Sequence, residues 1–168
     1  MNSDALFKLS GAAAIAGGLL RVVSSVSWTD DAVTLEWLYT AIDVLLLFGL
    51  IGIYLARAER LGFLGLAGFG VAVASLSFIG GPDADPFGFN TYEQGAAALA
   101  IAMVGLSIAW VRAREKPISP ALCWFGSVIC AGVLNLMPPL ATYGFMLAGA
   151  LFGLGFALAG VALLRPGR

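Results

Sequence analysis

The sequence predicts an all-α, polytopic membrane helical bundle with six transmembrane helices, and three observations support this fold class. The 168-residue chain is 60% hydrophobic and 11% charged, with a mean hydropathy of +0.94. Soluble domains average about 45–50% apolar and about 25% charged residues. Six apolar segments fill most of the chain, each close to the roughly 20 residues that cross a bilayer. The basic residues gather at alternate segment ends. We therefore expect residues 1–168 to form a single integral membrane domain.

Each apolar segment ends where charged, Pro-rich or Gly-rich residues begin. The segments cover about residues 6–28, 33–56, 61–81, 92–112, 119–137 and 140–164. Their boundaries lie at residues 28–31, 57–60, 80–86, 112–116 and 138–139. Only the proline pair Pro138-Pro139 separates segments five and six, so a re-entrant hairpin is the alternative to two full crossings there.

The charges predict the orientation of the chain. If six spans are drawn, one side receives the basic residues Arg57, Arg60, Arg112, Arg114, Lys116, Arg165 and Arg168. The other side receives the acidic residues Asp30, Asp31, Asp83 and Asp85. Short loops rich in Lys and Arg stay in the cytoplasm. We expect an integral inner (plasma) membrane protein with cytoplasmic N- and C-termini.

A weak internal repeat suggests that the six helices are three tandem helical hairpins. When Gly49 is aligned with Gly105, Glu59 meets Glu115 at the following basic end. Basic residues at span ends would also produce such matches by composition alone.

Small and aromatic residues give two packing expectations. Gly11 and Gly18 in the first segment, and Gly149 and Gly153 in the sixth, would let helix backbones approach closely. Four tryptophans near predicted span ends are typical of an aromatic belt at the membrane surface, namely Trp28, Trp37, Trp110 and Trp124.

A polar stripe on the second segment is the most informative feature for function. Its members are Glu36, Tyr39, Thr40 and Asp43. The spacing i, i+3, i+4, i+7 places them on one face of a helix. The helical rise puts Arg21 about 10 Å and Asp43 about 9 Å below the same interface. We expect Arg21 to pair with Asp43, or with Glu36 nearer the surface, because carboxylates suit the planar guanidinium group.

Polar residues at the outer ends of other spans extend this stripe into a candidate pocket. The pocket is expected to open outward between spans one, two, four and six, and to bind or transport a small molecule. Its predicted ligand-binding residues are Arg21, Tyr39, Thr40, Asn90, Tyr92, Glu93, Asn135 and Tyr143. Polar helix ends also occur simply because they meet water.

Two other functions are compatible with the same residues. Glu36 and Asp43 form a candidate catalytic acid/base pair, as in a membrane-embedded isomerase, cyclase or lipid-modifying enzyme. Alternatively, an Arg21–Asp43 ion pair that only joins two helices would indicate a structural or regulatory subunit. Proton-coupled transport is less favoured, because the inner halves of the spans carry almost no polar residues.

The composition also bears on cofactors and partners. The chain has no histidine, so the commonest metal ligand and the usual haem ligand are missing. We expect no metal site and no cofactor. The net charge of −1 gives no indication of a nucleic-acid partner. The expected partners are membrane lipids and a small lipophilic or cationic ligand, and an oligomer is compatible with the composition.

Overall fold

The computed structural model is a bundle of six helices, which confirms the predicted fold class. It describes residues 3–26, 31–79, 90–134 and 136–165. The helices are α1 (Ser3–Val23), α2 (Ala32–Leu55), α3 (Ala58–Ile79), α4 (Thr91–Arg112), α5 (Ser119–Ile129) and α6 (Ala141–Leu164). A π-helical segment, Cys130–Leu134, extends α5, and a 3₁₀ turn, Pro138–Leu140, precedes α6. No strand occurs in these described ranges.

The fifth helix is shorter than the other five, which are all long and apolar enough to cross a membrane. Ser119–Leu134, with its π-helical end, spans about 24 Å at 1.5 Å per residue, against about 30 Å of hydrocarbon. The predicted segment ran to residue 137. It stops earlier because a residue before proline is disfavoured in the helical region, and Met137 is extended, with φ −109° and ψ 97°.

The six helices form a closed ring of contacts in chain order. Each helix packs on the next, and α6 closes the ring on α1. The α1–α6 contact is the most extensive, the α2–α3 contact is the least extensive in the ring, and α2 also touches α6. Each predicted hairpin therefore packs against itself, while α1 lies in the groove between α2 and α6.

Small residues allow α1 to approach both neighbours closely. A Cβ atom on Gly18 would collide with the carbonyl oxygen of Gly153 on α6. A Cβ atom on Gly49 of α2 would lie 2.7 Å from the Cβ of Ala14. These contacts confirm the expected role of small residues in helix packing. Gly62 is different, because nothing lies within 4 Å of a Cβ built there.

Three aromatic side chains from α4, α5 and α6 pack together in the core. The rings of Trp110 and Trp124 meet edge to face at 5.7 Å, and those of Trp124 and Phe156 meet at 5.4 Å. All three side chains are fully buried. The aromatic-belt prediction was therefore wrong for both tryptophans, because position near a helix end indicates depth but not which helix face is buried. Trp37 is exposed, and Trp28 lies outside the described residues.

The two ends of the bundle carry opposite charges. The C-terminal ends of α2, α4 and α6 lie at one end of the bundle, together with the start of α1. Arg57, just after α2, contacts Trp110 near the end of α4, and a Cβ on Gly11 of α1 would contact Leu164 at the end of α6. We call it the basic end; its charged residues include Arg57, Arg60, Arg112 and Arg165. We call the opposite end the acidic end; it includes Asp31, Glu36 and Glu93.

Candidate functional site

Arg21 lies where α1, α2 and α6 meet, in the half of the bundle nearer the acidic end. Its guanidinium carbon is 5.9 Å from the centroid of the Tyr39 ring on α2. Its Nη1 donates a long hydrogen bond of 3.4 Å to the Ser24 hydroxyl. On α6, a Cβ atom at Gly149 would lie 3.3 Å from Nη2 of Arg21. The same Cβ would lie 2.6 Å from the Ser25 hydroxyl oxygen, so the glycine leaves room for both this hydroxyl and the half-buried guanidinium group.

Asp43 lies on α2, one turn further from the acidic end than Tyr39. Its side chain is partly buried, and the Arg21 guanidinium group attracts it electrostatically. The direct ion pair expected from the sequence is not formed, because no described carboxylate oxygen lies within 4.0 Å of an Arg21 nitrogen. Equal depth does not bring two charges into contact, since side-chain direction around each helix also matters.

The other three members of the α2 stripe are more exposed than Asp43, and the Tyr39 side chain is 40% exposed. Glu36 and Thr40 are both exposed, and Glu36 lies nearest to the acidic end. Two turns of one helix separate Glu36 from Asp43, which is about 10 Å along the axis. Paired carboxyl groups that act on one glycosidic bond are at most about 9.5 Å apart. The two carboxyl groups of the candidate acid/base pair are thus far apart. Because both residues lie on α2, the helix itself fixes their separation along its axis.

The predicted residues of span four lie apart from this junction. Asn90 is the N-cap of α4 and accepts a hydrogen bond of 3.0 Å from the Glu93 backbone N–H. The Tyr92 and Glu93 side chains are exposed. Because α4 packs on α3 and α5, the described helices bring together spans one, two and six but not span four.

Two predicted residues belong to the turn between spans five and six. Tyr143 lies in the first turn of α6 and is exposed. Asn135 lies outside the described residues. The structure therefore reduces the candidate site to Arg21, Tyr39 and Asp43, with Gly149 as the opposing surface.

Sequence reasoning missed a buried ion pair at the basic end. Arg57 Nε lies 3.3 Å from Glu115 Oε2, and the two side chains are 2% and 6% exposed. The Arg57 guanidinium also covers the Trp110 ring at 4.3 Å, and its Nη1 donates to the Ile53 carbonyl at 3.1 Å. From the exposed side, Arg60 Nη1 donates to Glu115 Oε1 at 2.9 Å. We call Arg57, Arg60, Glu115 and Trp110 the basic-end cluster.

The basic-end cluster ties the α2–α3 connection to the end of α4. The sequence contained one signal for it, a single glutamate between Arg114 and Lys116 in an otherwise basic stretch. The internal repeat obscured that signal by aligning Glu115 with Glu59. Glu59 is exposed whereas Glu115 is buried, so the two aligned acids have different environments.

Two cavities lie away from the junction of α1, α2 and α6. One, of about 410 Å³, lies at the basic end between the start of α3 and the end of α4. The other, of about 300 Å³, lies between the opposite halves of the same helices and is mostly apolar. Neither is lined by Arg21, Glu36 or Asp43.

No protein-family model matches the chain, and neither a curated protein nor a solved structure is significantly similar to it. The class of protein is therefore defined by the fold and composition, which are those of a multi-pass helical membrane protein.

Proposed function

We propose that this protein binds a small molecule within the membrane, at the junction of α1, α2 and α6. The observation that carries the proposal is the position of Arg21. It is a half-buried guanidinium group in a membrane-spanning helix, beside Tyr39 and over Gly149, with no described carboxylate within 4.0 Å. Arg21 lies in the last turn of α1, and ionisable residues inside membrane-spanning segments usually face the bundle interior and serve a partner or a ligand.

The charges at the junction suggest the chemistry of the ligand. Arg21 and Asp43 offer opposite charges on adjacent helices, and the Tyr39 ring lies against the guanidinium group. A guanidinium group favours a carboxylate or phosphate, whereas a carboxylate favours an ammonium group. This arrangement suits a lipophilic molecule whose polar head carries both signs of charge.

Binding is better supported than transport or catalysis. Transport would require a path through the basic end, where the buried Arg57–Glu115 pair and Trp110 occupy the interior. Catalysis by Glu36 and Asp43 would require the two carboxyl groups to reach one bond from positions two turns apart. The contacts in the structure therefore support neither transport through the basic end nor joint catalysis by Glu36 and Asp43.

We also propose that the basic end faces the cytoplasm of an inner (plasma) membrane, which places both termini there and opens the junction toward the outside. The basis is the excess of arginine at the basic end. A C-terminal green fluorescent protein fusion should then fluoresce in bacteria, and a C-terminal alkaline phosphatase fusion should be inactive. The reverse pattern would contradict this orientation.

Three probes built on eight-carbon chains, with the carboxyl carbon of octanoate counted, test the ligand proposal. They are N-octylglycine, which carries an ammonium and a carboxylate, octanoate, which carries only the carboxylate, and octylammonium, which carries only the cation. We expect N-octylglycine to raise the unfolding temperature of the detergent-purified protein most. A ligand at a hundred times its Kd stabilises the folded state by about 2.7 kcal/mol.

Two variants test which residue of the protein binds each charged group of the probe. Arg21→Gln should remove the advantage of N-octylglycine over octylammonium, and Asp43→Asn should remove its advantage over octanoate. Glu59→Gln is the control, because Glu59 is an exposed acid at the other end of the bundle. If the three probes act equally on every variant, or if the variants lose only basal stability, the junction is structural and the proposal is wrong.

A further inference from the structure

We propose that the basic end carries a second site, which binds the phosphate headgroup of an anionic membrane lipid in the groove between α3 and α4. The groove has a volume of about 410 Å³. Arg60 and Leu61 line it from the start of α3, and Arg112 and Ala109 line it from the end of α4. This site shares no residue with the junction of α1, α2 and α6, so the two proposals are independent.

The backbone at Gly62 helps to open the groove. Gly62 has φ 61° and ψ −161°, which interrupts α3 one turn after its start. Only glycine adopts this region readily. Nothing lies within 4 Å of a Cβ built at Gly62, so the space beside the interruption is empty of protein.

The charges around the groove do not cancel. Glu115 accepts from Arg60 at 2.9 Å and also faces Arg57 at 3.3 Å, so one carboxylate serves two guanidinium groups. Arg112, on the wall formed by α4, adds a third positive charge. The two charged residues that line the groove, Arg60 and Arg112, are both basic, and no acidic residue is among its lining residues. Glu59 is exposed and does not line it.

Arg60 is both accessible and held in place. Its side chain is 69% exposed, yet its Nη1 is fixed on Glu115, so the rest of the guanidinium group faces outward. Arginine pairs with phosphate oxygens through a planar fork of donors. Two such groups on neighbouring helices therefore suit a phosphate placed between them.

Phe63 favours a lipid over a free phosphate ion. It lines the same groove, and its side chain is 85% exposed at the end of a membrane-spanning helix. An inorganic phosphate would leave this ring uncovered. A phospholipid would place its headgroup on the arginines and the apolar part of the same molecule against Phe63.

The test compares lipid retention by the wild type and three arginine variants. The protein is reconstituted in nanodiscs that contain phosphatidylglycerol and phosphatidylcholine in equal amounts, and the lipids that remain bound are counted by native mass spectrometry. The wild type should retain phosphatidylglycerol preferentially. Arg112→Gln should weaken this preference by about five-fold, the effect expected of one basic residue near an anionic surface.

Arg114→Gln is the matched control, since Arg114 carries the same charge two residues later, is exposed, and does not line the groove. It should retain the preference of the wild type. Equal losses in the two variants would mean that phosphatidylglycerol responds only to overall charge, and the site would be rejected. Arg60→Gln provides a second variant from the opposite wall and should behave like Arg112→Gln.

Inorganic phosphate separates the lipid headgroup from a free anion. If the groove is a lipid site, added phosphate should not displace phosphatidylglycerol from the wild type at constant ionic strength. Displacement by phosphate, but not by chloride, would show that a free anion occupies the groove and would overturn the assignment to a lipid.

Discussion

The Arg57 guanidinium lies 4.3 Å from the centroid of the Trp110 ring and joins the end of α2 to the end of α4 across the bundle. The indole N–H of Trp110 in turn donates to the Pro117 carbonyl at 3.0 Å, which fixes the loop after α4. The α2–α3 contact is the least extensive in the ring. The basic-end cluster therefore strengthens the ring at the side where helix packing contributes least.

Replacing Glu115 should destabilise the folded protein. Glu115→Gln removes the negative charge beside the buried Arg57, and breaking such a pair typically costs about 3–5 kcal/mol. We expect a value near the lower figure, because Arg57 keeps the Ile53 carbonyl and the Trp110 ring. The free energy of unfolding in mixed micelles with increasing dodecyl sulfate measures this. Glu59→Gln, at an exposed position, should change it little; equal effects would show that the ion pair does not stabilise the fold.

Two buried tryptophans should respond differently to the same change. Trp110→Phe removes the hydrogen bond to Pro117 and weakens the contact with Arg57. Trp124→Phe removes an indole N–H that has no hydrogen-bond partner among the described atoms. We expect Trp110→Phe to cost about 1–2 kcal/mol more, from one hydrogen bond and part of a cation–π contact. The same unfolding assay measures both variants, and an equal or larger loss for Trp124→Phe would contradict the assignment.

A methyl group on α1 should disrupt the helix packing, whereas one on α3 should not. Gly18→Ala places a Cβ against the Gly153 carbonyl oxygen, and overpacking of this kind costs about 1–3 kcal/mol. Gly70→Ala is the matched control, because nothing lies within 4 Å of a Cβ there. Alanine is also the better helix former, by about 1 kcal/mol. Thermal unfolding should rank Gly70→Ala at or above the wild type and Gly18→Ala clearly below it; the opposite order would show that α1 and α6 are not in close contact.

The start of α2 should weaken in acid. The Asp31 carboxylate accepts from the Thr34 hydroxyl and, at 3.0 Å, from the Thr34 backbone N–H. Both bonds hold the pKa of Asp31 below its usual value of 3.8. Because the pKa of Asp31 is lower in the folded state, its ionised carboxylate stabilises the folded state fully above pH 3.8. This contribution is lost as the pH falls through the lowered pKa of the folded state.

Hydrogen exchange at the first turn of α2 measures this effect, with Asp31→Asn as the comparison. Asparagine caps a helix about as well as aspartate but does not titrate. The wild type should therefore lose protection in acid more steeply than Asp31→Asn. Parallel curves for the two proteins would show that the carboxylate of Asp31 does not contribute.

Much of the architecture followed from hydropathy. The predicted starts and ends of spans two and four lie within one residue of α2 and α4, since charged or capping residues flank both helices. The predicted end of span five, residue 137, is too late. Apolar residues continue through Leu136 and Met137, but the π-helical segment ends at Leu134 and Met137, which precedes Pro138, is extended. The length and polarity of a segment predict where a helix crosses the membrane. They do not distinguish a π-helical segment, such as Cys130–Leu134, from an α-helix.

The site was harder to predict because it depends on how each helix is rotated. Depth along the helix placed Arg21 level with Asp43, yet the guanidinium group of Arg21 faces Tyr39 and Gly149 instead. For the same reason two tryptophans predicted for the membrane surface lie in the core. The α4 residues near Glu93 were grouped with the pocket by polarity alone. Which helices are neighbours depends on side-chain packing across the whole bundle, and a pattern within one segment does not contain that information.

The dominance of the α1–α6 contact has a consequence for biosynthesis. α1 meets the helix with which it makes its most extensive contact only when α6, five helices later in the chain, leaves the ribosome and enters the bilayer. Until then, the glycine-lined face around Gly18 has only lipid or a chaperone against it. A nascent chain interrupted before residue 141 would leave that face without the α6 surface that covers it in the folded protein.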